Sequence, residues 1–153
     1  MIKHIKCNIF DSGADIILHQ VNCQGVMGSG IAKQVRDRYP NVYASYKNLC
    51  TAIRNPSILL GTAQFVRIDN FVYIVNLFAQ DKYGYDGKQY TDYLALDSCL
   101  NQVRTHTLHN NEVIAIPYRM GCDRGGGDWN VVYEMIEKQL GDFNVLICEY
   151  NGR

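Results

Sequence analysis

The sequence predicts an α/β protein, a three-layer α/β/α sandwich with a mixed central sheet of about six strands. Strand and helix patterns follow one another in the order ββααββαβαβ, which favours a sheet held between helical layers. The apolar run 15–21 is nearly continuous, as in strands that are covered on both faces. Two glycine-rich segments, 25–30 and 121–127, each join a predicted strand to a predicted helix.

Each element has its own local pattern. Apolar runs and alternation predict strands at 2–9, 15–21, 62–68, 71–77, 112–117 and 143–150. The two residues 69–70 separate the third and fourth strands, a spacing typical of a tight hairpin. Helical spacing begins at Ile31 and again around Pro40, because proline suits a first helical turn but not a helix interior. Thr91 and Asp128 are predicted to cap the last two helices.

Length and charge predict one domain that spans residues 1–153. Hydrophobic residues make up 47% of the chain and charged residues 20%, which excludes a disordered protein. Lys+Arg and Asp+Glu both number 15, and this balance argues against duplex DNA or an anionic membrane held by bulk electrostatics. No segment approaches the roughly 18 apolar residues of a membrane-spanning helix, and the first residues do not resemble a signal peptide.

The six cysteines are scattered along the chain without a CxxC pair, so we expect no zinc site. Most of them lie in apolar patterns, which is typical of thiols in a reducing compartment. The sequence therefore predicts a cytoplasmic protein without metal or cofactor, and we expect a monomer.

Segment 25–30 is predicted to bind an anion. Its glycines are spaced G-x-x-G-x-G, which matches neither the Rossmann nor the P-loop pattern. The segment leads into a helix N-terminus, where free N–H groups and the helix dipole favour negative charge. The alternative is that a tight strand-to-helix turn needs glycine in any case. Asn22, at the strand end, either contacts a ribose hydroxyl or caps the turn with its side chain.

Segment 121–127 repeats this arrangement after another predicted strand. Its three consecutive glycines, 125–127, exceed what a simple connection requires. Glycine clusters allow main-chain N–H groups to approach a ligand closely. Because loops at the carboxyl ends of neighbouring strands meet at one crevice, we expect the two loops to enclose a single diphosphate.

Several motifs resemble those of macrodomains, the ADP-ribose-binding fold. They lie at 19–32, 38–40, 76–81, 90–93, 121–122 and 125–129, in the order found in that family. The similarity runs nearly end to end. It points to the branch that contains the chromatin-remodeller macrodomain and the yeast ADP-ribose 1''-phosphate phosphatase, and to bacterial and phage members in particular. It implies ADP-ribose or a derivative as ligand and an ADP-ribosylated macromolecule as a second partner.

The resemblance also implies which residues contact the ligand. The first loop would surround the distal ribose and one phosphate with Gly25, Val26, Met27, Gly28, Ser29 and Gly30. The second loop would cover the other side of the diphosphate with Gly121, Cys122, Asp123, Arg124, Gly125, Gly126 and Gly127. Asn8 and Ile9 stand where the family places an acidic adenine contact. Tyr150 either stacks on the adenine or is a surface residue at a strand end.

Three residues are candidates for catalysis. His19 and Asn22 match the pattern His-x-x-Asn-Cys-x-Gly of the yeast phosphatase, and a histidine can transfer a proton near neutral pH. The alternative for His19 is a packing residue in an apolar strand. Asp123 is a candidate general base if it faces the distal ribose or if Arg124 neutralises it, and otherwise a solvent-exposed loop residue. Gln80 stands where other members carry a nucleophilic lysine.

These observations predict a protein that binds ADP-ribose and hydrolyses a derivative of it. The reaction would release phosphate from ADP-ribose 1''-phosphate or ADP-ribose from a modified macromolecule. The alternative is a reader that binds without turnover. A third interpretation, a binder of single-stranded RNA, comes from the 11 tyrosines and their cluster at 83–93, although charges in that segment are balanced.

Overall fold

The structure, a computed structural model, describes residues 1–107 and 111–150. Its strands are β1 (Ile2–Lys6), β2 (Ile16–Asn22), β3 (Ala63–Asp69), β4 (Val72–Gln80), β5 (Val113–Pro117) and β6 (Asn144–Glu149). Its helices are α1 (Gly30–Arg38), α2 (Pro40–Ala52), α3 (Tyr93–His106) and α4 (Trp129–Leu140). Short 3-10 helices cover Ile9–Asp11 and Pro56–Leu59. This order confirms the predicted α/β class.

The six strands form one mixed sheet in the order β1-β6-β5-β2-β4-β3. All neighbouring pairs are parallel except β3 and β4, which form the antiparallel hairpin that the two-residue spacing predicted. β2 and β5 are direct neighbours, so the loops that follow them leave the sheet at the same edge. The topology therefore brings segments 23–29 and 118–128 together.

Helices cover both faces of the sheet. On one face, β2 residues Ile17 and Val21 pack with Val42 and Tyr46 of α2. On the other face, Leu18 packs in a cluster to which α3 and α4 contribute. Consecutive β2 side chains thus enter opposite cores, which explains why this strand is apolar at nearly every position.

Two local expectations need correction. The first strand ends at Lys6, and Ile9 begins a 3-10 helix instead of continuing the strand. Thr91 does not cap α3, because the side chain of Asp92 accepts the N–H of Ala95 and takes that role. The Thr91 hydroxyl instead donates to the carbonyl of Gly121, 2.7 Å away. This bond ties the β4–α3 loop to the loop after β5.

Other expectations are confirmed. Asp128 caps α4 by accepting the N–H of Asn130 at 2.9 Å, and Pro40 begins α2. The six cysteines are free, and all except Cys7 are buried. None of the helices in residues 1–107 and 111–150 is long and apolar enough to cross a membrane.

Candidate functional site

Two adjoining cavities lie at the sheet edge where β2 and β5 end. The first cavity, about 170 Å³, is bounded by the end of β2, the start of α1 and residues of the loops that follow β4 and β5. The second cavity, about 700 Å³, lies between α1 and the ends of β1 and β6. Both cavities are lined by Gly30, Ile31, Pro117, Tyr118, Arg119 and Asp123. These shared residues join the two cavities into one cleft.

The structure brings most of the predicted site residues to this cleft. His19, Asn22, Val26, Gly28, Ser29, Gly30, Gly121, Asp123, Arg124 and Gly125 line the first cavity. Asn8, Ile9, Gly30, Asp123 and Tyr150 line the second. Gly25, Met27, Cys122, Gly126 and Gly127 line neither. The side chains of Met27 and Cys122 lie in the two hydrophobic cores, so these residues can offer a ligand only their main chains.

The first loop presents unpaired amides to the cleft. Ser29 precedes α1 but makes no side-chain cap, and the first turn of α1 carries no acidic residue. Within the described part of the chain, no acceptor is recorded for the main-chain N–H groups of 28–32. Helix dipoles and free amides attract anions at such a position. The predicted anion site is therefore physically sound.

Asn22 shapes the first loop. Its Oδ1 accepts the N–H of Gln24 at 2.9 Å, and its Nδ2 donates to the carbonyl of Val26 at 2.8 Å. The buried hydroxyl of Tyr46 lies 2.7 Å from the Asn22 carbonyl and 2.8 Å from its Oδ1, and it accepts the N–H of Val26. These hydrogen bonds match the second of the two roles predicted for Asn22, in which its side chain caps the turn. Asn22 also lines the first cavity.

The second loop needs its consecutive glycines for a different reason from the close approach to a ligand that the sequence indicated. A Cβ on Gly126 would lie 2.5 Å from the carbonyl oxygen of Lys88. The carbonyl of Gly125 accepts the N–H groups of Tyr90 and Thr91 at 2.7 and 2.9 Å. These glycines therefore allow the loop to pack against segment 88–91 of the protein itself. Close approach to a ligand is not what requires them.

Asp123 and Arg124 do not neutralise each other. The Asp123 carboxylate pairs with Arg119, whose Nε lies 3.2 Å away, while the guanidinium of Arg124 lies 4.1 Å from the ring centre of Tyr85. Arg119 has φ of +61°, the left-handed conformation that a residue with a side chain seldom adopts. This pair lines both cavities, so one cation and one carboxylate lie where the cavities meet.

His19 belongs to a buried chain of amides. The carbonyl of Ser45 accepts from Gln64 Nε2, and Gln64 Oε1 accepts from Asn76 Nδ2 at 2.9 Å. Asn76 therefore turns its oxygen toward His19 Nε2, which must carry the proton. Burial lowers the pKa of His19 to about 4, against the opposing effect of this hydrogen bond. His19 is therefore neutral near pH 7, with its proton on Nε2 and a lone pair on Nδ1.

A second polar network, which the sequence did not indicate, is centred on Gln20. Its Nε2 donates to Gln80 Oε1 and to Thr91 Oγ1, both at 2.8 Å. Gln80 also donates to the carbonyl of Lys82. No sequence pattern indicated these contacts, because residues 20, 80 and 91 meet only through the parallel pairing of β2 and β4 and the loop beyond.

The second cavity contains the residues expected beside an adenine. Asn8 caps the first 3-10 helix through its Oδ1, which accepts the N–H of Phe10 at 3.0 Å. Ile9 is buried, and its neighbours at the cavity include Cys148 and Tyr150. Tyr150 is 52% exposed, as a tyrosine that covers a flat ligand would have to be before the ligand binds.

Curated relatives agree with this geometry. No protein-family model matches the chain. A DNA ADP-ribosyl glycohydrolase from Mycobacterium tuberculosis is 26% identical over 159 residues, which cover 99% of this chain and 43% of the relative. An ADP-ribose 1''-phosphate phosphatase from Meyerozyma guilliermondii is 28% identical over 97 residues, 54% of this chain and 55% of the relative. The chain thus spans about half the length of these two relatives.

Solved structures share the whole fold. A protein of unknown function from Bacteroides thetaiotaomicron superposes with a TM-score of 0.85 at 25% identity, covering 97% of this chain and 98% of that one. A macrodomain protein from Streptomyces coelicolor reaches 0.78 at 24% identity and covers 100% of both chains. The chain has the macrodomain fold. Thermosipho africanus DarTG in complex with ADP-ribose gives 0.78 at 18% identity over 97% of this chain and 41% of that one.

Within this macrodomain, the charges near the cleft are few. Among the described residues, the charged side chains that line the first cavity are Arg119, Asp123 and Arg124. Lys33, Arg38 and Glu149 lie at the second cavity. The cleft therefore offers an anion the main-chain amides of 28–32 and the cations Arg119, Arg124, Lys33 and Arg38, although the net charge of the chain is zero.

Proposed function

We propose that this macrodomain binds ADP-ribose, or the ADP-ribosyl group of a modified macromolecule, and hydrolyses the bond at the distal ribose. The observation that carries the proposal is the junction between the two cavities, which Arg119 lines together with Gly30 and Ile31, two residues whose main-chain N–H groups have no acceptor among the described residues. In this arrangement the diphosphate occupies the junction. The adenosine then extends past Tyr150, and the distal ribose enters the first cavity.

Hydrolysis is supported by the names of the relatives, a glycohydrolase and a phosphatase. Asp123 is the only carboxylate that lines the first cavity among the described residues, so we assign to it the role of general base. The oxygen of a water molecule bonds to the reacting atom at the distal ribose while Asp123 accepts the water proton. The bond to the leaving group breaks, and that group departs with the electron pair and takes up a proton from solvent. Asn22 and His19 contribute hydrogen bonds and shape.

Two further features belong to the proposal. The six free cysteines suit a reducing compartment, so we propose a cytoplasmic location. A single domain over 1–153 and a monomeric state complete the account.

The second candidate is a reader that binds ADP-ribose without turnover. It is favoured by Gln80, whose amide is hydrogen-bonded and which stands where the resemblance implies a nucleophilic lysine. Incubation of the protein with ADP-ribose 1''-phosphate and, in a second reaction, with ADP-ribosylated DNA distinguishes the hydrolase from the reader.

The experiment compares the wild type with Asp123→Asn and follows released phosphate and ADP-ribose. Turnover by the wild type of either substrate, reduced about 100-fold in the variant, supports the hydrolase. Binding of ADP-ribose without release from either substrate would replace the hydrolase by the reader. Absence of ADP-ribose binding would remove both.

A further inference from the structure

The second cavity contains a cation that no carboxylate of the described residues neutralises. Its charged lining is three cations and two carboxylates, Lys33, Arg38, Arg119, Asp123 and Glu149. Arg119 pairs with Asp123 at 3.2 Å. Lys33 pairs at 2.8 Å with Asp37, which does not line the cavity. Within residues 1–107 and 111–150, Arg38 alone of the three cations has no carboxylate partner.

The guanidinium of Arg38 is held against the wall of the cavity. It lies 4.7 Å from the ring centre of Phe10, and that ring packs against the ring of Tyr39 at 5.8 Å. Phe10 directly follows Asn8 and Ile9, which line the cavity. A guanidinium that stacks on an aromatic face keeps its N–H donors in its own plane, where a phosphate can accept two of them in parallel. Arg38 thus presents an oriented cation to the cavity.

Arg38 lies apart from the junction of the two cavities. Helix α1 begins at Gly30, which lines both cavities, and ends at Arg38. Eight residues of an α-helix advance about 12 Å. The contact with Phe10 keeps the guanidinium near segment 8–10 and away from a diphosphate at the junction. Glu149 lies across the cavity from α1, at the end of β6, and bonds to His4 at 2.9 Å.

We propose that the second cavity binds a phosphate carried by the adenosine ribose, at its 2' or 3' position, and that Arg38 receives this phosphate. The inference rests on the proposed function, which extends the adenosine from the junction past Tyr150. A phosphate monoester carries nearly two negative charges at neutral pH, so it supplies the counter-charge that Arg38 lacks. Lys33 lines the same cavity and adds a second positive charge. The ligand class is an ADP-ribose or an adenosine nucleotide with this additional phosphate.

The size of the second cavity is consistent with the additional group. Its volume is about 700 Å³, against about 170 Å³ for the first cavity. Pockets of this volume hold ligands of drug size, so an adenosine leaves room for a phosphate on its ribose.

Two sets of nucleotides test the inference by calorimetric titration. The first compares ADP-ribose with 2'-phospho-ADP-ribose. The second compares AMP with adenosine 2',5'-bisphosphate and adenosine 3',5'-bisphosphate, and the bisphosphate that binds more tightly identifies the position. At low ionic strength the additional phosphate should raise the affinity about fivefold or more, and the gain should shrink as salt is added.

The decisive variant is Arg38→Gln, in which we expect the gain from the additional phosphate to fall to less than about twofold. Arg36→Gln is the matched control, because it changes the charge of the same helix by the same amount. Arg36 lines neither cavity, and its guanidinium lies 3.5 Å from Asp37 and 5.9 Å from the ring centre of Tyr43. The gain should be retained in Arg36→Gln.

The outcomes separate the inference from the proposed function. A wild type that binds ADP-ribose but gains no affinity from a 2' or a 3' phosphate overturns the inference and leaves the proposed function intact. An equal loss of the gain in Arg38→Gln and Arg36→Gln also overturns it, because net charge alone would then explain the effect. A wild type that binds none of these nucleotides overturns the proposed function as well.

Discussion

His19 Nε2 lies 2.5 Å from Asn76 Oδ1, at a point where β2 and β4 pair residue to residue. The two side chains therefore form a hydrogen bond between parallel strands, on the face of the sheet that α2 covers. His19 is 1% exposed, and Asn76 is completely buried. The histidine that the sequence suggested as a proton carrier is held neutral as part of the fold.

Stability should depend on pH through His19. Its pKa is about 4 in the folded chain and about 6.5 when unfolded, so acid adds a proton to the unfolded state first. The contribution of neutral His19 is complete above pH 6.5 and is lost as the pH falls to 4, by about 3 kcal/mol in total. Urea unfolding at several pH values measures this loss.

His19→Gln is the matched variant for that measurement, because a glutamine Nε2 can still donate to Asn76 without titrating. Its unfolding free energy should change by about 3 kcal/mol less than that of the wild type between pH 6.5 and 4. Identical pH profiles for the two proteins would show that His19 is not buried as described.

Asn22 should be needed for the shape of the first loop. Asn22→Ala removes the bonds to Gln24 and Val26 and leaves the Tyr46 hydroxyl with fewer partners, at a cost of about 2–3 kcal/mol. Tyr46→Phe keeps the Asn22 side chain and should cost about 1–2 kcal/mol. Denaturant unfolding compares the two. A loss below about 0.5 kcal/mol for Asn22→Ala would contradict the assigned role.

The two glycine-rich loops should respond differently to alanine. Gly126→Ala brings a Cβ against the carbonyl of Lys88 at a φ of +69°, and should cost about 2 kcal/mol or more. Gly28→Ala meets only Val26 Cγ1, at 3.4 Å, so stability should change by less than about 1 kcal/mol. Binding of ADP-ribose should fall in Gly28→Ala, because Gly28 lines the first cavity. A large loss of stability in Gly28→Ala together with a small one in Gly126→Ala would contradict these roles.

Much of the fold was predictable, because it depends on local patterns. The apolar run of β2, the hairpin at 69–70 and the cap at Asp128 each appear within a few consecutive residues. Thr91 was assigned to the wrong role because it and Asp92 are both good capping residues, and only the tertiary contact with Gly121 separates them.

The site was less predictable, because its decisive contacts join distant parts of the chain. The two glycine-rich loops could be recognised from their composition, and the predicted strand order indicated that they lie side by side. The partner of Asp123 depends on the left-handed turn at Arg119, which no motif indicated. The network of Gln20 requires residues about 60 and 70 positions away to meet.

Asp123→Asn should separate binding from turnover. The substitution removes a negative charge beside the proposed diphosphate site and releases Arg119, so ADP-ribose affinity should rise about two- to fivefold. Turnover should fall about 100-fold because the general base is lost. Parallel binding and activity measurements check both effects. Unchanged turnover would remove Asp123 from the reaction.

The most direct test of the account is a calorimetric titration of the wild type with ADP-ribose, ADP and AMP. The joined cavities predict one site, with ADP-ribose bound about tenfold or more tightly than ADP, and AMP bound most weakly. Equal affinity for all three nucleotides, or no heat of binding with ADP-ribose, would contradict the claim that this cleft holds a diphosphate between an adenosine and a second sugar.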